Sequence, residues 1–360
     1  MAGRFRVVDT GVQEGRFNIA IDQAMIEAHQ AGCIPDTFRF MRFPPTALIG
    51  RHQALRQEVD VEHCRAHDVG IVRRITGGGA IYLDQGQLGW GLVFQRKALG
   101  QPSLAEVASN ICQAVAAGLQ RLGVDARYRP RNDIEVAGRK ISGTGGFFDG
   151  DTLIYQGTVL VDMDPAAMVA ALRVPRAKLE KRHLDSAAQR VVTLRELLGS
   201  ETPGLPAIQR ALLDAFSERF DLAWDPEPLT AAEETLAREH LRDEIGTNEF
   251  VAEVDDPASD DDFASGTQTG AGGTVTTYVR LEGAARKRIG QALVTGDFFV
   301  APPRVLFDLE AALRGAYVAD AGEIMERFFR ERPINALSVT AADFRTSLDS
   351  ALVAANARRP

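Results

Sequence analysis

At 360 residues the chain is long for a single core and predicts two domains, one large and one small. Its 45% hydrophobic and 25% charged content is that of an ordinary globular protein, and a net charge of −8 argues against non-specific binding to nucleic acid. No stretch approaches the roughly twenty apolar residues of a membrane span. The start, Met1-Ala2-Gly3-Arg4-Phe5, lacks a signal-peptide pattern. Cys33, Cys64 and Cys112 are scattered, which fits a reducing compartment and gives neither a disulfide framework nor a zinc site. The expectation is a cytoplasmic protein with no membrane partner.

Residues 18–29 carry Ile19, Ala20, Met25 and Ile26 at helical spacing. Residues 38–43 alternate apolar and basic, the period of a half-buried strand, and 47–50 give a second strand running into Arg51-His52-Gln53. A helix over 59–67 precedes a strand, 70–73, that feeds Arg74-Ile75-Thr76-Gly77-Gly78-Gly79. Consecutive glycines cost conformational entropy and are kept where side chains would obstruct something. Beside arginines they suit an anion cradle, and a tight crossing of backbone segments is the competing reading. Arg73 and Arg74 are sequential, so only one of them is expected to face a cleft.

Residues 88–94 read as a strand and 104–122 as a helix with Gly123 as its cap. Asn132–Val136 and Arg139–Gly143 flank Ala137-Gly138, a hairpin signal, and a second hairpin follows around Asp149-Gly150-Asp151. In this three-stranded meander, alternation sends Ile141 to the core and Lys140 with Ser142 to the opposite face. Lys140 there lies either on solvent or in a cleft. Beyond it, 165–198 is an interrupted helical pattern with Lys178, Lys181, Arg182 and Arg190, and 206–220 and 230–241 are amphipathic helices. Residues 251–273 are acidic, then rich in glycine and threonine, and read as a linker or long loop. Strands at 274–281 and 288–299 and helices at 306–313, 321–329 and 341–354 complete a small α+β domain, 274–360.

Competing chemistries find little support. The glycine loop has no P-loop ending and no dinucleotide spacing. His52, His63 and His67 do not form a ligand set, and there is no Gly-x-Ser-x-Gly elbow. Cys33 and Cys112 fall in apolar helical contexts, and only Cys64, between His63 and Arg65, has an activating neighbourhood.

Taken together, Arg-Arg-x-Thr-Gly-Gly-Gly-Ala and, some sixty residues on, Asn-Asp-Ile…Gly-Arg-Lys-Ile-Ser-Gly-Thr resemble the lipoate–protein ligase family. Asn18-x-Ala20-x-Asp22, Gly50-Arg51-His52-Gln53 and Gln156-Gly157-Thr158-Val159-Leu160 add to the match over residues 5–200, and Gly290–Phe299 with 306–315 looks like the accessory domain of the two-domain ligases. The resemblance implies an α+β catalytic domain, 1–250, of the biotin/lipoate ligase type. It implies activation of lipoate or octanoate by ATP to an acyl-adenylate, then transfer to a lysine of a lipoyl carrier domain. That carrier is an E2 subunit, a glycine-cleavage H protein or a specialised lipoate-binding protein. By the same resemblance Lys140 is the catalytic cation, Asp133 holds Mg²⁺, and Arg74, Thr76, Gly77, Gly78, Gly79, Asn132, Asp133, Ser142 and Gly143 line the substrate and adenylate site. Leu83 and Gln156 stand where the family has histidines. A related branch transfers octanoyl groups from acyl carrier protein through a cysteine, absent here from 143–148, and the biotin-ligase Gly-Arg-Gly-Arg signature is also missing. A non-catalytic lipoate or adenylate binder is the remaining alternative.

Overall fold

The computed structural model describes residues 3–100, 103–130, 132–173, 190–257, 260–270, 272–332, 334–336 and 339–357. The first half runs β1 (Gly3–Val12), α1 (Gly15–Gln30), β2 (Thr37–Arg42), β3 (Thr46–Ile49), α2 (Leu55–Glu58), α3 (Val61–Ala66), β4 (Gly70–Arg73), β5 (Ile81–Leu83), β6 (Gln87–Gln95) and α4 (Leu104–Arg121). Then come β7 (Arg127–Arg129), β8 (Asp133–Val136), β9 (Arg139–Asp149), β10 (Thr152–Leu160), α5 (Pro165–Ala171), α6 (Leu194–Leu198), α7 (Leu205–Phe220), β11 (Leu222–Pro226), α8 (Ala231–Asp243) and α9 (Asn248–Val251). The C-terminal unit contains β12 (Ala264–Gly270), β13 (Gly273–Glu282), β14 (Arg288–Gly296), β15 (Val300–Ala301), α10 (Val305–Leu313), α11 (Ala321–Glu331), β16 (Asn335–Ala336) and α12 (Ala341–Ala357). Lys178, Lys181 and Arg182 lie outside the described residues.

An eight-stranded sheet, order β11-β1-β2-β6-β10-β9-β8-β7, organises the larger unit. β1 runs parallel to β2 and β11, and the remaining neighbours are antiparallel. Helix α4 packs on one face, burying Val107, Ile111, Val115 and Leu119 at helical spacing beside Trp90, Phe94 and Phe216. Ser103 caps its first turn by accepting from the Glu106 amide, and Gly123, at φ +85°, ends it in the left-handed conformation a glycine adopts freely. Helix α1 covers the other face through Ile19, Ile21, Met25 and Ile26. A small sheet, β4-β3-β5, stands over that face and leaves a gap between the two sheets.

The strand at 37–42 is not half-exposed. Arg39 is 1% exposed, its guanidinium donating to Asp22 at 2.6 Å and to the Asn18 carboxamide at 2.6 Å. Arg39, which alternation puts on solvent, is internal because helix α1 supplies carboxylate and amide partners. The linker expectation also changes. Its Gly/Thr run is strand β12, paired along its whole length with β13. A Cβ on Gly266 would stand 2.3 Å from the Ala351 nitrogen and the Ser347 carbonyl, so glycine here lets α12 rest directly on the strand. The acidic residues before it are anchored too, Glu253 to Arg51 and Asp256 to Gln57. A second core of Val279, Ile289, Phe298, Leu309, Phe344 and Leu348 runs from Ala264 to Ala355. Among the described residues no helix is long and apolar enough to cross a membrane.

Candidate active site

The glycine loop begins where β4 ends. Arg73 is fully buried and donates to the carbonyls of Gly50, Gln53, Phe250 and Val251, so it nails the small sheet to α9. Arg74 turns the other way. Its guanidinium donates to the carbonyls of Gly77 (2.8 Å), Gly79 (2.8 Å) and Leu48 (3.3 Å), which holds the loop in its curve. Burial lowers both, to about 9 and about 10, and both remain cations at neutral pH. Arg73 is sealed from solvent, whereas Arg74, 9% exposed, borders the cavity described below.

The glycines accept close neighbours. A Cβ on Gly77 would lie 2.1 Å from the Phe298 carbonyl oxygen, and one on Gly78 would lie 2.7 Å from the Phe299 ring. The Gly78 amide donates to Phe298 at 3.0 Å. Phe298 stacks on buried His52, centroids 5.2 Å apart. Burial and the Arg51 charge hold His52 down to about 3, so it is neutral at physiological pH. The loop is therefore the seam on which the C-terminal unit sits.

Opposite this seam, the meander carries Lys140. Ala137 and Gly138 turn at φ +50° and +79°, the two left-handed central residues of a tight hairpin. Lys140 Nζ pairs with Asp133 Oδ1 at 2.7 Å across β8 and β9, the lysine side chain 37% exposed. The register then slips: Glu135 faces Lys140 while Ile134 faces Ser142. This bulge gives β9 one extra residue, so Ile141 and Ser142 both turn from the Lys140 face. Ser142 is fully buried and does not line the cavity, which corrects its expected place beside the substrate. Gly143 does line it. Asn132 is fixed by reciprocal bonds to Thr144, its carboxamide donating to the Thr144 carbonyl at 2.8 Å and its own carbonyl accepting from the Thr144 amide.

Between the two sheets lies a cavity of about 760 Å³. Lys140, Asp133, Asn132 and Gly143 line one end of it, with Arg74, Thr76, Gly78 and Gly79 on its roof. The rest is mostly apolar: Ile19, Met41, Leu48, Leu83, Met163 and Met168 come from separate stretches of chain. None of these was visible as a tunnel residue in the sequence, because each reads as ordinary core. Gln156 is one of the polar residues in this wall, with Asp22, Gln87 and Thr158. Its amide donates to Asp22 at 2.5 Å, and Asp22 in turn holds Arg39, so a buried network fixes the side chain. Burial pushes the Asp22 carboxyl up against the opposing pull of Arg39 and Gln156.

The three cysteines stay outside. Cys33 is on the surface, Cys64 is buried in the α3 cluster, and Cys112 lies behind β9 with Sγ 3.3 Å from Thr144 Oγ1. Burial raises the Cys64 thiol to about 11 and the Cys112 thiol in the same direction. The activating neighbourhood that His63 and Arg65 lend Cys64 in the sequence does not form. Among the described residues no group of three or more histidine, cysteine or acidic side chains fits a resident metal ion. Asp133 is a single half-buried carboxylate, a donor set that suits only an ion arriving with its own ligands.

Residues 14–217 match the model of the lipoyl protein ligase A/B catalytic domain. Octanoyltransferase LipM of Kyrpidia tusciae is 31% identical over 268 residues, covering 67% of this chain and 97% of that protein. Among solved structures, a bipartite lipoate–protein ligase from Thermoplasma acidophilum, studied with its E2 lipoyl domain, aligns with TM-score 0.63 at 26% identity over 71% of this chain and 98% of its own. A lipoate–protein ligase A bound with ATP aligns at 0.61 and 26%, over 70% and 99%. In fold alone, Plasmodium falciparum LipL1 in complex with lipoate aligns at 0.70 and 15%, over 92% of this chain and 95% of its own. With its mixed sheet, paired Lys140 and glycine loop, the chain belongs to the lipoyl protein ligase A/B catalytic-domain family, which includes both ligases and octanoyltransferases.

Proposed function

We propose that this chain is a lipoate–protein ligase: it activates lipoate or octanoate with ATP and passes the acyl group to a lysine of a lipoyl carrier domain. One observation carries the reading. The family's acyl cavity is here lined by Lys140 and by none of the chain's three cysteines. A transferase working through an acyl-cysteine needs an accessible thiol of lowered pKa, and the two buried thiols are raised. The ATP-bound ligase and the Thermoplasma ligase with its E2 lipoyl domain support the nucleotide and the carrier.

In this reading the apolar chain lies among Ile19, Met41, Leu83 and Met163, with its carboxylate toward Lys140. Asp133 aims the ammonium, using one of its three donors. The remaining two are free for the acyl carbonyl and the α-phosphate, where negative charge accumulates in the transition state. Asn132, locked to Thr144, offers its carboxamide beside them. Mg²⁺, held by Asp133 and phosphate oxygens, would neutralise the triphosphate. Arg74 acts on the loop, keeping the Gly78 and Gly79 backbone at the cavity wall for ligand contact, while Gly77 packs against Phe298 instead of lining the cavity.

Octanoyl transfer from an acyl carrier protein is the second reading, and the sequence relatives, the Kyrpidia protein among them, favour it over the ligase reading. Pyrophosphate release decides between them. The ligase reading expects release that depends on added octanoate or lipoate; release at background level with every free acid tested overturns it.

A further inference from the structure

Three carboxylates line the cavity: Asp22, Asp133 and Asp297. Asp22 is committed to Arg39 and Gln156, and Asp133 to Lys140. Asp297 has no cationic partner among the described residues. It comes from the C-terminal unit, at the end of β14, and it is held rigidly: its amide donates to the Thr274 carbonyl at 3.2 Å, and its Oδ1 accepts from the Thr274 amide. Gly273, at φ +123°, makes room for it, since a Cβ there would be 3.0 Å from Oδ1. Oδ2 is left facing the glycine loop, 4.0 Å from where a Cβ of Gly79 would be.

A fixed, half-buried carboxylate without a counter-charge, on the wall of a site that handles acyl groups, is a receptor for a cation. The remaining cation in acyl transfer is the carrier's ε-ammonium. Resting on the ligase reading, we propose that Asp297 receives the ammonium of the incoming carrier lysine and takes its first proton. The lysine Nζ lone pair then attacks the acyl carbon; the C–N bond forms, the C–O bond to phosphate breaks, and AMP leaves with that electron pair. Asp297 returns the first proton to solvent, and the second leaves from the new amide nitrogen to solvent. This makes the C-terminal unit a contributor to the transfer step.

The test uses the full chain with supplied octanoyl-AMP and two nucleophiles, an apo lipoyl domain and hydroxylamine, which is uncharged at neutral pH. Loss of a charged hydrogen bond predicts a fall of about ten- to a hundredfold in kcat/KM for the lipoyl domain in D297N. The fall with hydroxylamine should be about threefold or less, and D297E should recover part of the loss. Equal falls with both nucleophiles, or wild-type transfer by D297N, overturn the proposal. A wild-type chain that acylates no lipoyl domain overturns the ligase reading and this role with it.

Discussion

Gly143→Ala tests whether the position of the Lys140 ammonium, and not its mere presence, sets the rate. A Cβ on Gly143 would stand 2.5 Å from both Cε and Nζ of Lys140, whereas ordinary contact begins near 3.4 Å. The ammonium must therefore retreat by about 1 Å, and misplacement of that size costs about a hundredfold in rate. The obstructed atoms are the far end of a flexible side chain, so the backbone has no reason to move. Gly143 has no left-handed φ, and replacing glycine by alanine in strained-free backbone reduces unfolded-state entropy by about 0.4–1 kcal/mol. The variant should melt at or slightly above the wild-type temperature while acid-dependent pyrophosphate release drops about a hundredfold. Release within about threefold of wild type, with an unchanged melting temperature, would refute the positioning argument.

Lys140→Met removes the cation and leaves Asp133 unpaired, so adenylation should fall by at least about a hundredfold; wild-type pyrophosphate release would sink the assigned role. Gly77→Ala places a Cβ 2.1 Å from the Phe298 carbonyl and 2.9 Å from the Phe299 Cα, both backbone of the C-terminal unit. The seam should open, and limited proteolysis within 253–263 should accelerate; unchanged protection contradicts that packing. His52, lowered to about 3, is neutral when folded and protonates near 6.5 when unfolded. Its contribution is complete above pH 6.5 and is lost as pH falls toward 3, by up to about 1.4 kcal/mol per pH unit. His52→Phe, which keeps the ring stack on Phe298, should flatten that slope in acid melts, and an identical slope in the variant would contradict it.

The hairpin that carries Lys140, Asp133 and Asn132 was legible from Ala137-Gly138 and strand alternation, which left Lys140 on solvent or in a cleft; their place in a site came only from the family resemblance. Ser142 failed for a local reason that alternation cannot show: a one-residue bulge reverses its face. The glycine loop was only half legible. Its crowding is against Phe298 and Phe299, some 220 positions away, so sequence alone left an anion cradle and a tight crossing equally open. The cavity's apolar wall was hidden for a similar reason, since Ile19, Met41, Leu83 and Met163 look like core until two sheets separate above them. Strands β1 and β11 escaped notice because they pair with each other across most of the chain, Gly3 with Leu222. The Gly/Thr run before residue 273 read as a linker because Gly266 weakens the strand signal; what it accommodates, helix α12, lies eighty residues later. Asp297 lay within the Gly290–Phe299 stretch that resembles the accessory domain, but that resemblance gave it no role, and it gains one only once the other two cavity carboxylates are seen to be paired.

The most direct measurement is the mass of an apo lipoyl domain incubated with this chain and either free octanoate plus ATP and Mg²⁺ or octanoyl-acyl carrier protein without ATP. The ligase account predicts an octanoyl mass increment on the carrier lysine with the free acid and ATP. An increment that appears only with octanoyl-acyl carrier protein would contradict it and establish the transferase in its place.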